Sequence, residues 1–463
     1  MEEYRDDTAH GVRPMSSEIL ESMEDLTSYF VSGEKPAFQW RVGTEHEKFP
    51  YHRKDLSPLP YEGPQSVTAL MEAFGAMGWR LEREHGYPIA AFSDDGRSFT
   101  LEPGGQIELS GAPLSTVHET CREITAYHAD LDRMSKSWDV GFIGLGFHPF
   151  ANVADMPKVP KDRYTIMRAY MPKVGSRGLD MMHRTCTVQA NLDYASEEDC
   201  VKKFRTATAL QPLATALFAS SPFVDGAPNG FASNRAAVWL DTDRQRSGFV
   251  PGIFDKSFGY EAYAEFALDV PMYFIKRGGA YVNCAGQSFR DFMAGKLPAL
   301  PGEKPTMKDW ADHLSTIFTE VRLKTYLEMR GADSGMRDAL CALPALWVGL
   351  LYDEESLDAA HGMVLSLGEQ FWRDLAQEVP RTALSGRVHQ RSVAGLASEL
   401  LKLADQGLAR RNKLNGEGLT EQFYLNHLHA RAAAGEAPSD ILRARWEGEW
   451  GHDFAPLFAD GAY

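Results

Sequence analysis

Apolar and polar positions alternate most strictly between Thr185 and Asp193. There Thr185, Thr187, Gln189, Asn191 and Asp193 interleave with Cys186, Val188, Ala190 and Leu192. This is the period-two signature of a strand with two unlike faces. The polar face holds neither Lys nor Glu, so it reads as a cavity lining rather than an open surface. Leu323 to Asp333 repeats the pattern. Read as one strand, it sends Lys324, Tyr326, Glu328 and Arg330 to one side and Leu323, Thr325, Leu327 and Met329 to the other. Trp40 to Tyr51 is a third strand, with Glu45 and Glu47 on one face and His46 and Lys48 on the opposite one. In Phe99 to Pro113, Glu102 and Glu108 flank Pro103-Gly104-Gly105, a sequence that bends the backbone sharply. Both carboxylates can then reach one centre. Taken singly, each acidic pair reads either as a ligand set or as solvated surface charge.

Helical spacing appears between these strands. Ser16 to Phe30 places Ile19, Leu20, Met23, Leu26 and Phe30 on one face, with Ser16 or Ser17 as N-cap. Residues 62–82 predict an amphipathic helix and a short strand, Ser115 to Ser135 a long helix, Val140 to His148 a buried strand, and Glu198 to Ser220 another helix. Residues 152–178, rich in Pro and basic side chains, predict a long loop of the kind that clamps substrates. Asn234 to Gly248 reads as a loop or strand, and Phe266 to Ile275 as an apolar strand interrupted by proline. Beyond Cys341 the pattern is helical, most clearly over Val393 to Arg411. The fold class expected is α+β, with antiparallel strands bearing polar faces, helices outside them and a helical C-terminal third. We expect a single domain over 1–463: an N-terminal helical segment 1–35, a sheet-based core 36–340 and a mainly helical part 341–463.

Composition narrows the function. A length of 463 residues with 44% hydrophobic and 24% charged residues describes a globular chain with a large core. A net charge of −16 argues against nucleic acid, and any anionic ligand then needs local cations. No apolar run approaches the ~20 residues that span a bilayer. The five cysteines show no CxxC spacing, which disfavours structural zinc and a secreted disulfide framework. The opening MEEYRDD is acidic, unlike a targeting peptide, and gives the expectation of a cytoplasmic protein.

Together the polar faces offer Glu45, Glu47, Glu102, Glu108, Gln189, Asn191, Glu328 and Arg330. Hard oxygen ligands of this kind suit Mg²⁺, or Mn²⁺ in its place, rather than zinc. Crowded carboxylates repel unless cations sit between them. A neighbouring guanidinium can grip a transferring phosphoryl group with its planar fork. The sequence has neither a phosphate-binding G-x-x-x-x-G-K-[ST] loop nor a kinase motif set. The residues alone leave open an ATP-dependent ligase, a metal-dependent hydrolase and a divalent-ion binder.

Six segments carry a resemblance: TEHEKF, LEPGGQIELSGAP, YMPKVGSRGLDMMHRTCTVQANLD, NRAAVWLDTD, ALDVPMYF and YLEMRGAD with CALPALWVGLLYDE. They resemble glutamate–cysteine ligases of the plant and proteobacterial type, from about Trp40 to the end of the chain. The resemblance implies a glutamine-synthetase-like antiparallel sheet shaped into a funnel. It also implies ligation of glutamate to cysteine through a γ-glutamyl phosphate, with ATP as co-substrate, in the first step of glutathione synthesis. The alternative is a related ATP-dependent carboxylate–amine ligase with a different amine acceptor. By position, Glu45, Glu47, Glu102, Glu108 and Glu328 are the implied metal ligands, with Glu328 and Arg330 catalytic. Arg163, Arg235, Gln189 and Asn191 are implied to bind substrate, and Phe92 and Tyr273 to form the cysteine pocket. Partners would be small molecules only, the protein a monomer or homodimer. Cys121 and Cys341 match a redox pair of the plant enzymes, whereas Ala299 stands where the partner of Cys284 is expected, so no switch is expected at Cys284.

Overall fold

The structure is a computed structural model that describes residues 18–460. Strands β1 (Val42–His52), β2 (Arg80–Glu84), β3 (Tyr87–Phe92), β4 (Ser98–Leu101), β5 (Ile107–Ser110), β6 (Val140–Ile143) and β7 (Thr187–Leu192) lie in the first half. A separate hairpin, β8 (Phe274–Arg277) and β9 (Ala280–Asn283), precedes β10 (Val321–Leu323) and β11 (Leu327–Asp333). Nine of these strands form one antiparallel sheet in the order β10-β11-β7-β1-β5-β4-β3-β2, with β6 on the far end of β1.

Alternation decides which face each side chain meets. On β1, His46 and Lys48 turn inward with their nitrogens 2.8 Å apart, beside Tyr127 and His128. These last two belong to helix α1 (Val117–Trp138), which packs behind the sheet. Helix α2 (Glu197–Phe218) covers β11, and α3 (Arg337–Leu351) covers β7 and β1. Val188, Ala190, Leu192, Leu323, Leu327 and Met329 fill the interface, all essentially without solvent exposure. Burying a side chain of this size stabilises by roughly 1.5–3 kcal/mol. The helices expected after Cys341 are present, including Val393–Arg411 at the bounds read from its periodicity.

Several expectations need correction. Leu323 to Asp333 is not one strand. Lys324–Tyr326 form a tight turn, closed by the Lys324 N–H donating to the Tyr326 carbonyl, and β10 folds back on β11. Residues 152–178 contain a helix, Asp162–Tyr170, with Asp162 in its first turn and Arg168 in its last, as the macrodipole favours. Asn234–Trp239 is a short helix capped by Ser233, whose hydroxyl accepts from the Ala236 N–H. Phe266 to Ile275 divides into the end of helix Tyr260–Asp269 and the start of β8, because Pro271 cannot continue the helix. The Ser16 and Ser17 caps lie outside the described residues; the first described helix, Met23–Val31, is capped by Ser22.

Candidate active site

The sheet face away from the helices lines a cavity of about 310 Å³. Strand register explains its contents, because residues directly opposite on neighbouring strands share a face. One cross-strand row runs Gln189, Glu45, Ser110, Ser98 and Phe92. A second runs Glu47, Glu108, Thr100, Ala90 and Glu82. A third begins Arg322, Glu328 and Asn191. The Pro103-Gly104-Gly105 turn brings Glu102 in beside the second row. Gly105 has φ +76°, and a Cβ on Gly104 would lie 2.3 Å from the His183 carbonyl oxygen, so the turn needs both glycines.

The carboxylates are crowded. Burial, with added repulsion from Glu102, pushes the Glu47 carboxyl up to about 8, although Arg235 and the Thr187 N–H, which donates to it at 2.9 Å, pull the other way. Burial and then repulsion from Glu45, Glu102 and Glu47 hold Glu108 well above the carboxylate range, against the Thr100 hydroxyl that donates to it at 2.9 Å. Burial and Glu328 raise Glu45, which accepts from the Asn191 amide at 2.8 Å. Four carboxylates on one wall, Glu47 and Glu108 buried and Glu45 and Glu102 half-buried, call for shared protons or for divalent cations.

Glu328 differs from what was expected of it. Its carboxylate is fully buried and does not line the cavity. Arg322 holds both of its oxygens, from Nη2 at 2.7 and 2.8 Å and from Nε at 3.0 Å, and Arg330 donates to Oε1 as well. Burial alone would raise its carboxyl, but Arg322, Arg330 and Lys324 bring it down to about 2. Both oxygens are occupied by guanidinium groups, so Glu328 presents no open ligand position here. It holds two cations that face the cavity. Arg330 also donates to the Gln189 carbonyl oxygen at 2.8 Å.

Arg163 and Phe92 line the cavity, the former on the helix that replaced the expected loop. Arg235 and Tyr273 do not. Tyr273 is buried with its ring 3.9 Å from the Arg246 guanidinium, because the chain forms a helix and a hairpin where one strand was expected. Arg235 lines a narrow adjoining cavity that shares Arg330 and Phe318 with the main one. Its Nη2 donates to the Arg330 carbonyl at 2.9 Å, and its Nε is buried without a partner among the described residues.

Sequence reasoning missed Arg322, which sits one strand away from Glu328, as well as Tyr164, Lys161 and Lys276 on the cavity wall. It also missed Trp239, whose buried indole N–H has no partner among the described residues and which lines the adjoining cavity. Arg322 was legible in principle: recognising the turn at Lys324–Tyr326 puts it opposite Glu328. Cys121 of α1 and Cys341 of α3 are joined by a disulfide with Cα atoms 5.6 Å apart, and Cys284 is free and buried.

A family model described as "Glutamate-cysteine ligase family 2(GCS2)" matches residues 41–458. Glutamate–cysteine ligase B, chloroplastic, of Oryza sativa subsp. japonica is 48% identical over 442 residues, covering 95% of this chain and 87% of that one. The chloroplastic glutamate–cysteine ligase of Arabidopsis thaliana is 47% identical over 443 residues, covering 95% and 83%. These relatives are named chloroplastic, which overturns the cytoplasmic expectation drawn from the acidic opening. A crystal structure of glutamate–cysteine ligase from Francisella tularensis in complex with AMP shares the fold, with a TM-score of 0.52 at 12% identity over 92% of this chain and 88% of that one. On the family match and these identities, the chain belongs to glutamate–cysteine ligase family 2.

Proposed function

We propose that the protein joins the γ-carboxylate of L-glutamate to the amine of L-cysteine, converting ATP to ADP and phosphate. In the first step a γ-carboxylate oxygen attacks the terminal phosphorus of ATP and ADP leaves. In the second the cysteine nitrogen attacks the acyl carbon of γ-glutamyl phosphate, phosphate leaves and the amine proton is released. The product, γ-glutamylcysteine, is the first intermediate of glutathione synthesis. The observation that carries this reading is one cavity with a carboxylate wall facing a guanidinium pair, within a chain of this family.

The carboxylate wall fits a divalent cation, because hard oxygen donors are present and their mutual repulsion needs a counter-charge. Glu45, Glu47, Glu102 and Glu108 would hold Mg²⁺, or Mn²⁺ in its place; when bound it neutralises phosphate oxygens during transfer. The protein's own groups do the rest. Arg330, oriented by Glu328 and Gln189, grips the moving phosphoryl group. Arg235 and Trp239 hold the α-carboxylate of glutamate, supported by their buried, unpartnered N–H groups. Arg163 and Phe92 face the acceptor. Glu328 acts by positioning cations rather than by ligating metal. The sheet and the C-terminal helices form one catalytic unit in this reading, supported by the packing of α3 on β7.

The test is a coupled ADP-release assay with Mg²⁺ that omits glutamate and cysteine in turn, followed by mass analysis of the product. ADP release should require glutamate and rise with cysteine. Metal-dependent hydrolysis without ATP would sink the ligase reading, and a panel of amines fixes the acceptor.

A further inference from the structure

Asp333 ends β11 with its side chain fully buried, outside both cavities. Its carboxylate accepts three hydrogen bonds: Oδ2 from the Ser220 N–H at 2.9 Å and the Ser221 hydroxyl at 2.7 Å, and Oδ1 from the Ser233 hydroxyl at 2.7 Å. Ser220 and Ser221 lie just beyond α2, while Ser233 caps the helix Asn234–Trp239. Both serine oxygens have a second partner. Ser221 Oγ accepts from the Arg235 N–H at 3.2 Å, and Ser233 Oγ accepts from the Ala236 N–H at 3.0 Å.

One carboxylate therefore ties the strand that carries Arg330 to the first turn of the helix that carries Arg235 and Trp239. Arg235 is 3% exposed, and a buried guanidinium requires compensating negative charge. Asp333 reaches the Arg235 backbone through one intervening hydroxyl, that of Ser221. Ser233 alone would cap the helix; the carboxylate behind it fixes the Ser221 and Ser233 hydroxyls that receive the Arg235 and Ala236 N–H groups. Gly146 makes room for this carboxylate, since a Cβ there would meet Asp333 Cγ at 2.2 Å.

We propose that Asp333 is a positioning residue for glutamate binding, setting the first turn of the Arg235 helix through Ser221 and Ser233. This rests on the ligase reading, in which Arg235 receives the glutamate carboxylate. Asp333→Asn keeps the shape but turns a donor toward groups that already donate. It should raise KM for glutamate about tenfold or more, the scale of one lost charge-assisted hydrogen bond. KM for ATP should stay within about twofold.

The experiment measures ADP release by the full chain for wild type, Asp333→Asn, Arg235→Gln and the double variant, each varied in glutamate and in ATP. The double variant should be no worse for glutamate than Arg235→Gln alone, because Asp333 works through that arginine. Ser233→Ala and Ser221→Ala, each removing one donor, should move glutamate KM the same way by less, and serve if Asp333→Asn does not fold. Equal rises in both KM values, unchanged glutamate KM, or additive single effects would overturn the proposal. Failure of the ligase reading shows separately, as wild type without glutamate-dependent ADP release.

Discussion

Arg322 of β10 stands directly opposite Glu328 of β11 and donates to both oxygens of its fully buried carboxylate. Breaking a buried pair by removing one partner costs roughly 3–5 kcal/mol, because an uncompensated charge stays behind. Arg322→Met should therefore lower the melting temperature strongly and reduce turnover, since Arg330 then becomes the sole guanidinium on Glu328. Glu328→Gln should also lose turnover, with Mg²⁺ affinity changing little, as expected of a group that holds cations in place. Isothermal titration of Mg²⁺ into that variant is the check; loss of one metal equivalent would restore Glu328 as a ligand.

Arg330→Lys keeps a charge but loses the planar guanidinium, whose Nη1 donates to both Glu328 and Gln189. Turnover should fall by roughly two orders of magnitude, as seen when a transition-state donor is removed. KM for cysteine should move far less. Steady-state kinetics at saturating ATP decide it, and an unchanged kcat would remove Arg330 from phosphoryl transfer.

Glu47 sets a pH dependence. In the folded chain burial and Glu102 hold its proton up to about 8, whereas the unfolded chain releases it near the ordinary value of 4.5. The folded state thus binds more protons between those limits. This contribution to stability is complete below the lower limit and is lost as pH rises through the upper one. Without divalent cations the melting temperature should therefore decline from about pH 5 to pH 8.5. Millimolar Mg²⁺ should flatten that decline by taking the proton's place. Melts in chelator and in Mg²⁺ across this range provide the measurement.

The Cys121–Cys341 disulfide closes a loop with a sequence separation of 220 residues between two helices behind the sheet. Chain-entropy arguments give such a link up to about 5 kcal/mol. Reduction, or Cys341→Ser, should lower the melting temperature by several degrees. Cys284→Ser should leave the redox response unchanged, because Cys284 is buried and free. Melts with and without dithiothreitol separate the two.

Much of the site was legible because strands declare their faces. Glu45, Glu47, Gln189 and Asn191 project where alternation placed them, and Glu102 and Glu108 converge across the glycine turn. What stayed hidden depended on contacts between segments distant in sequence. The turn at Lys324–Tyr326 has no Gly or Pro to announce it, so Arg322 was left outside the constellation and Glu328 was given an open role. The helix carrying Arg163 is short, at nine residues, and its buried side chains are mostly aromatic or methionine. The Ser233 cap was readable, but a helix of six residues gives too short a period to recognise.

The two sides of β1 carry opposite chemistry, acids toward the cavity and a lysine–histidine couple toward α1. A slip of a single residue in its pairing would exchange them, presenting an ammonium and an imidazole to the nucleotide and driving two acids into the hydrocarbon interior. A misaligned chain would therefore be inert rather than sluggish, so catalytic output doubles as an assay for correct strand alignment.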